Sequence, residues 1–178
     1  MRFAYADPPY PGQAKRWYGG GKVPGAMRNA ITHPDYAGEV DHLELIGQLE
    51  GYDGWALSTS AAALQTILGL CPAGVRVGIW HRPNAMPPGH RGPRHSAEIG
   101  TWHWTWEPVI IKPGRKPSIL TRDLLSCPKP QGLIPGQKPP QFTRWVWTLL
   151  GAIEGDTIDD LFPGSGAVAL ELAQGVLL

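Results

Sequence analysis

Five large apolar residues late in the chain, Phe142, Trp145, Val146, Leu149 and Leu150, fall at i, i+3, i+4, i+7 and i+8. That period sets them on one face of an α-helix, and Gly151 marks the helix end. A helix with such a face must bury it, and the segments around it supply the surface. "FAYA" (3–6), "WALS" (55–58), "VRVGIW" (75–80), "EPVIIK" (107–112) and "TIDDL" (157–161) are short β-prone runs bounded by turn residues. "EVDHLELIGQLE" (39–50) reads as a short helix. Ser58 or Ser60 can cap another that reaches Leu70 before Pro72 stops it, and a closing helix is expected from Ala167 to Ala173. Residues 113–140, rich in proline, read as a loop. Strands alternating with helices specify an α/β fold with an open, mainly parallel sheet whose ligands sit at the carboxyl ends of its strands. A length of 178 residues and 42% hydrophobic content suit one domain over 1–178.

Two of those strand ends carry unusual sequence. In "FAYADPPYPG" (3–12), Pro8 and Pro9 have no backbone donor, so the first strand stops before them. The residue preceding a proline is extended, so Asp7 projects from the strand end with Tyr10 close behind. The result is a rigid claw offering a carboxylate, backbone carbonyls and an aromatic face. The same residues also suit a plain proline-rich turn after an edge strand, and local sequence does not choose between them. In "DDLFPGSGAVALEL" a strand ends at Asp160, and Gly164 and Gly166 allow a tight turn that exposes backbone amides to a ligand. A phosphate-binding P-loop needs Lys and Ser or Thr after the glycines, and Ala167, Val168 and Ala169 exclude it. A dinucleotide site fits Gly164, Gly166 and Ala169 as G-x-G-x-x-A but calls for an acid about 20 residues further on. The sequence ends first, at Leu178. A methyl-donor site is the third reading, and it also accounts for the claw.

Charge is unevenly spread behind a net +1. From Arg76 to Arg144 there are eleven Lys or Arg against three acids, with His81, His90, His95, Trp102, Trp104 and Trp106 interleaved, whereas residues 145–178 hold five acids and no base. Segregated positive charge among aromatics reads as a surface for a polyanion that can also be stacked upon. The long segment 11–36 adds Lys15, Arg16, Lys22 and Arg28. The histidines match no zinc pattern, so no metal is expected, and two cysteines, Cys71 and Cys127, make no disulfide framework.

"DPPY", "GQKPPQF" and "DLFPGSG", in that order, resemble motifs of the S-adenosylmethionine-dependent amino-methyltransferases that modify adenine or cytosine. The permuted order, catalytic motif before cofactor loop, is similar to that of bacterial β-order DNA methyltransferases and the writers of N6-methyladenosine in messenger RNA. The resemblance covers nearly the whole chain and implies a Rossmann-like methyltransferase fold of reduced size. It implies that Asp7, Pro8, Pro9 and Tyr10 form the catalytic motif: Asp7 and the Pro8 carbonyl accept the two hydrogens of an exocyclic amino group, and Tyr10 stacks on the base. It implies a cofactor, S-adenosylmethionine, bordered by Asp7, Lys138, Asp160, Phe162, Gly164 and Gly166. The expected activity is methylation of adenine N6 in DNA, or in RNA, with cytosine N4 as a further option. A catalytically silent module that keeps the fold to bind nucleic acid or a partner is the alternative.

The expected nucleic-acid contacts are Lys15, Arg16, Lys22, Arg82, Arg91 and Arg94. With only residues 113–139 where related enzymes insert a target-recognition domain, sequence preference falls to segments 11–36 and 82–104. In the family a later strand brings an acid to the cofactor ribose. Here the sequence ends before it, so an unfinished pocket and a small sheet are compatible with a homodimer. No apolar run is long enough to span a bilayer and no secretory signal opens the chain, so the expected partner is not a membrane and the expected compartment is the cytoplasm.

Overall fold

The computed structural model describes residues 1–14, 38–84, 105–117, 120–130, 137–164 and 168. Six strands and three helices follow in the order β1 (Arg2–Ala6), α1 (His42–Leu49), β2 (Gly54–Ser58), α2 (Leu64–Leu68), β3 (Arg76–His81), β4 (Trp106–Lys112), β5 (Leu124–Ser126), α3 (Pro140–Leu150) and β6 (Thr157–Asp160). The strands form one sheet in the spatial order β5-β3-β4-β2-β1-β6. β1 pairs in parallel with β2 and β6, and β3 with β5, while β4 runs antiparallel to both β2 and β3. The α/β architecture expected from the sequence is present. β4 alone reverses direction, which places its amino end beside the carboxyl ends of the other five.

Both faces of the sheet are covered, and the strands alternate accordingly. Phe3, Tyr5, Ala56, Val109 and Ile111 face α3, where Phe142, Trp145, Val146 and Leu150 meet them. Ala4, Ala6, Trp55, Leu57 and Ile110 face the other way, onto Leu45, Ile46 and Leu49 of α1 and Ile67 of α2. The aromatic contacts on the α3 side centre on Phe142, whose ring lies 6.0 Å from Tyr5, 5.1 Å from Trp80 and 5.8 Å from Trp145.

Local chemistry sets the element ends. Asp41 caps α1 by accepting from the amides of Leu43 and Glu44 at 2.9 and 3.1 Å. Ser60, not Ser58, serves the turn before α2, its Oγ accepting from Ala63 N at 3.1 Å. Ser58 belongs to β2 and bonds the Tyr5 hydroxyl at 2.9 Å. Gly151 ends α3 in the left-handed conformation, φ 73°.

One expectation is corrected. The proline-rich segment 113–140 is not loop throughout, because Leu124–Ser126 adds β5 to the sheet beside β3. Trp147, off the stripe that the period marks, is also buried with the core, as is Val168, so α3 is covered on more than one face. Of the expected closing helix only Val168 lies within the described residues. No helix among them is long and apolar enough to cross a membrane.

Gly78 in β3 lies directly against α3: a Cβ there would stand 2.8 Å from Trp145 Cη2. Gly78→Ala is expected to cost about 1–3 kcal/mol by forcing the indole from its seat, read from the urea midpoint at unchanged m-value.

Candidate active site

β1 ends at Ala6, as two consecutive prolines require, and residues 7–10 leave the sheet without regular structure. Pro8 and Pro9 are buried, Asp7 and Tyr10 partly exposed. A turn follows, closed by Gln13 N donating to Tyr10 O at 2.8 Å. β6 lies beside β1 with Asp160 opposite Tyr5, and the pairing extends through Leu161 N to Tyr5 O at 2.9 Å. Segments more than 150 positions apart in sequence thus end at the same sheet edge. Asp160 accepts from Phe162 N at 3.2 Å through Oδ1, and Gly164 turns the chain at φ +47°.

Lys138 completes this edge. It precedes Pro139 and Pro140, which begin α3, and the proline after it holds its backbone extended. Its side chain, 5% exposed, donates to Asp7 Oδ2 at 2.8 Å. The same Nζ lies 2.8 Å from Glu107 Oε1, an ion pair outside hydrogen-bond angles. Glu107, 7% exposed, sits opposite Trp80 near the amino end of β4, and its Oε2 is 3.8 Å from Arg82 Nη1. The rings of Trp80 and Phe142 flank the ammonium at 5.7 and 5.6 Å.

These groups set one another's charge. Burial raises the Asp7 carboxyl above its ordinary value; Lys138 pulls it back and Glu107 pushes it up, leaving a net rise. Burial works to lower Lys138, but Asp7 and Glu107 outweigh it and hold the ammonium well above its usual range, so it is protonated throughout the physiological range. Tyr5 and Tyr10 are raised, chiefly by burial and then by the nearby carboxylates. Burial pushes Asp160 up to about 6; the Phe162 amide opposes this and the Asp7 charge adds to it. Three acids and an ammonium thus meet at one sheet edge, beside a left-handed glycine turn.

Of the residues expected to act, Asp7, Pro8, Pro9, Tyr10, Lys138, Asp160, Phe162 and Gly164 lie along this edge and the segments leaving it. Gly166, Lys15, Arg16, Lys22, Arg91 and Arg94 lie outside the described residues. Arg82 is described and leans over Trp80, 5.6 Å from the ring centre, with Glu107 beside it. Part of the basic stretch is engaged inside the fold: Lys112 pairs with Glu50 at 2.8 Å, Arg115 with Asp156, and Lys138 with two acids. Glu107 was not singled out from the sequence; the signal was an acid opening an otherwise apolar strand.

No protein-family model matches the chain, and no match is found among curated proteins. Among solved structures, the cytosine-N4-specific PvuII DNA methyltransferase superposes with a TM-score of 0.62 at 12% identity, over 98% of this chain and 71% of that one. The chain shares that enzyme's fold. The M1.HpyAVI–SAM complex is also similar, with a TM-score of 0.51 at 16% identity over 98% of this chain and 78% of the other.

The raised Asp160 has a testable sign. Its folded value, about 6, exceeds its ordinary 3.8, so it favours folding fully below pH 3.8 and loses that contribution as pH rises through 6. Asp160→Asn is therefore expected to gain stability relative to the wild type between pH 4 and pH 6.5 and to hold the gain above, in melting temperatures taken across that range.

Proposed function

We propose that this chain transfers a methyl group from S-adenosylmethionine to the exocyclic amino nitrogen of a DNA base, N6 of adenine by preference. The observation that carries the reading is the convergence of Asp7, Lys138 and Asp160 on one sheet edge, within a fold shared with DNA methyltransferases. The M1.HpyAVI neighbour is a SAM complex, which supports the choice of cofactor.

The residues fit that cofactor. Asp160 offers a half-buried carboxyl to an ammonium, and the neighbouring cation favours its ionised form, countering the burial that raises it to about 6. Gly164, at φ +47°, makes a turn that a side chain would strain. Phe162 stands between them and supplies an apolar wall. Bound there, the cofactor supplies a methyl group on a sulfonium, which is the electrophile.

The rest is work for the chain's own groups. An exocyclic amino nitrogen has its lone pair conjugated into the ring and is a poor nucleophile until its hydrogens are held by acceptors. Asp7 and the Pro8 carbonyl take those roles, and the rigid diproline fixes them relative to each other. Lys138 favours the ionised form of Asp7, opposing the burial that raises its carboxyl. Tyr10 stacks on the base, so orientation supplies much of the acceleration. A base paired in a duplex must leave the stack to reach the edge, and a single strand presents it directly.

Cytosine N4 is the second reading, favoured by the likeness to the PvuII enzyme. Nucleoside mass spectrometry of DNA incubated with the purified chain and isotopically labelled S-adenosylmethionine separates the two. N6-methyldeoxyadenosine is expected, N4-methyldeoxycytidine transfers the case to cytosine, and neither product with the cofactor bound by calorimetry leaves a silent module. Asp7→Ala is expected to lower turnover at least ~10³-fold while sparing the fold, measured by initial rates beside circular dichroism.

A further inference from the structure

A buried acid that no motif accounts for stands at this edge. Glu107 reaches it because β4 runs against its neighbours, and it is 7% exposed with Arg82 and Lys138 on its two oxygens. Burying a carboxylate is costly unless a partner compensates it, and an apolar residue here would extend the run that follows in β4.

We infer that Glu107 is a positioning residue for Asp7: from a second strand it holds the Lys138 ammonium, so that one cation is shared by two carboxylates and Asp7 is not neutralised in a one-to-one pair. The inference rests on the reading of Asp7 as the acceptor of the amino hydrogens. Two features of Lys138 call for such a hold. Its backbone is fixed by the prolines after it, but four rotatable bonds separate that backbone from the charge. Two aromatic rings lie near enough to attract the ammonium away from Asp7. Glu107 anchors the charged end. It also adds negative potential at Asp7, which makes that carboxylate a stronger acceptor.

The charged and titratable groups facing Asp7 are Lys138 from the start of α3, Glu107 from β4, Asp160 from β6, Tyr5 from β1 and Tyr10 from the turn, with Arg82 acting through Glu107. Removing the Glu107 charge leaves Lys138 to Asp7 alone and withdraws a repulsive neighbour, and both changes favour ionised Asp7. Removing the Lys138 charge acts in the opposite sense.

Carbon-13 NMR of aspartate-labelled protein, with Asp7 assigned through Asp7→Asn, reads this directly. Glu107→Gln is expected to lower the Asp7 titration midpoint by about one pH unit and Lys138→Met to raise it. With DNA and S-adenosylmethionine, the acid limb of the kcat/KM profile should fall with the midpoint. The neutral-pH kcat should drop about 10–100-fold, as when a hydrogen-bonded partner that orients a metal-binding side chain is removed. An unmoved midpoint in folded Glu107→Gln overturns the inference, as does a moved midpoint with unchanged kcat. Should Glu107→Gln fail to fold, Glu107→Asp keeps the charge but withdraws it from Lys138; a smaller downward shift supports the inference and none overturns it. A wild-type chain that methylates no base defeats the proposed function, while the titration still decides whether Glu107 sets the charge of Asp7.

Discussion

A buried ammonium cannot stand without anions, and Lys138 takes its two from opposite parts of the chain: Asp7 at the end of the first strand and Glu107 at the start of the fourth. That requirement ties β1, β4 and the entrance of α3 to one point. The sheet order puts β2 between β1 and β4 and β6 on the far side of β1, so the point falls at the centre of the sheet edge, not at its rim. Every group argued to act on substrate or cofactor is positioned relative to it.

The direction of β4 makes this arrangement available. A sheet with all strands parallel gathers only carboxyl ends at its binding edge. One reversed strand brings an amino end there, and with it Glu107. The prolines act in the same spirit on either side of the site. Pro8 and Pro9 stop β1 and fix Asp7, while Pro139 and Pro140 start α3 and fix the backbone of Lys138. The charged pair is therefore held from stiff segments at both ends, which limits how far Asp7 and Lys138 can move relative to each other.

Much of this was legible in the residues. Short β-prone runs bounded by turn residues marked β1, β2, β3, β4 and β6, and the spacing of Phe142, Trp145, Val146 and Leu150 marked α3, because those elements bury apolar residues on the two faces of the sheet. β5 escaped because three residues set among prolines carry no period. The reversal of β4 escaped too, since strand direction depends on the connection and leaves no trace in the strand itself. Glu107 was lost with it: read along the chain it is one acid in a basic stretch, and only the sheet turns it toward Lys138. Lys112, Arg115 and Lys138 counted as positive surface in the sequence, yet each is bound to an acid in the fold, a pairing between distant segments that no local pattern reports. Asp7 and Asp160 were recognisable as strand-end acids, but their adjacency was a matter of topology.

The proposed transfer requires Asp7 to face the methyl donor across this edge. A crystal structure of the chain with sinefungin, an analogue whose amine replaces the sulfonium methyl, tests it most directly. The analogue's amino-acid end is expected at Asp160 and its replacing amine toward the space beside Asp7 and the Pro8 carbonyl. An analogue seated away from β1 and β6, or one that turns that amine from Asp7, would contradict it.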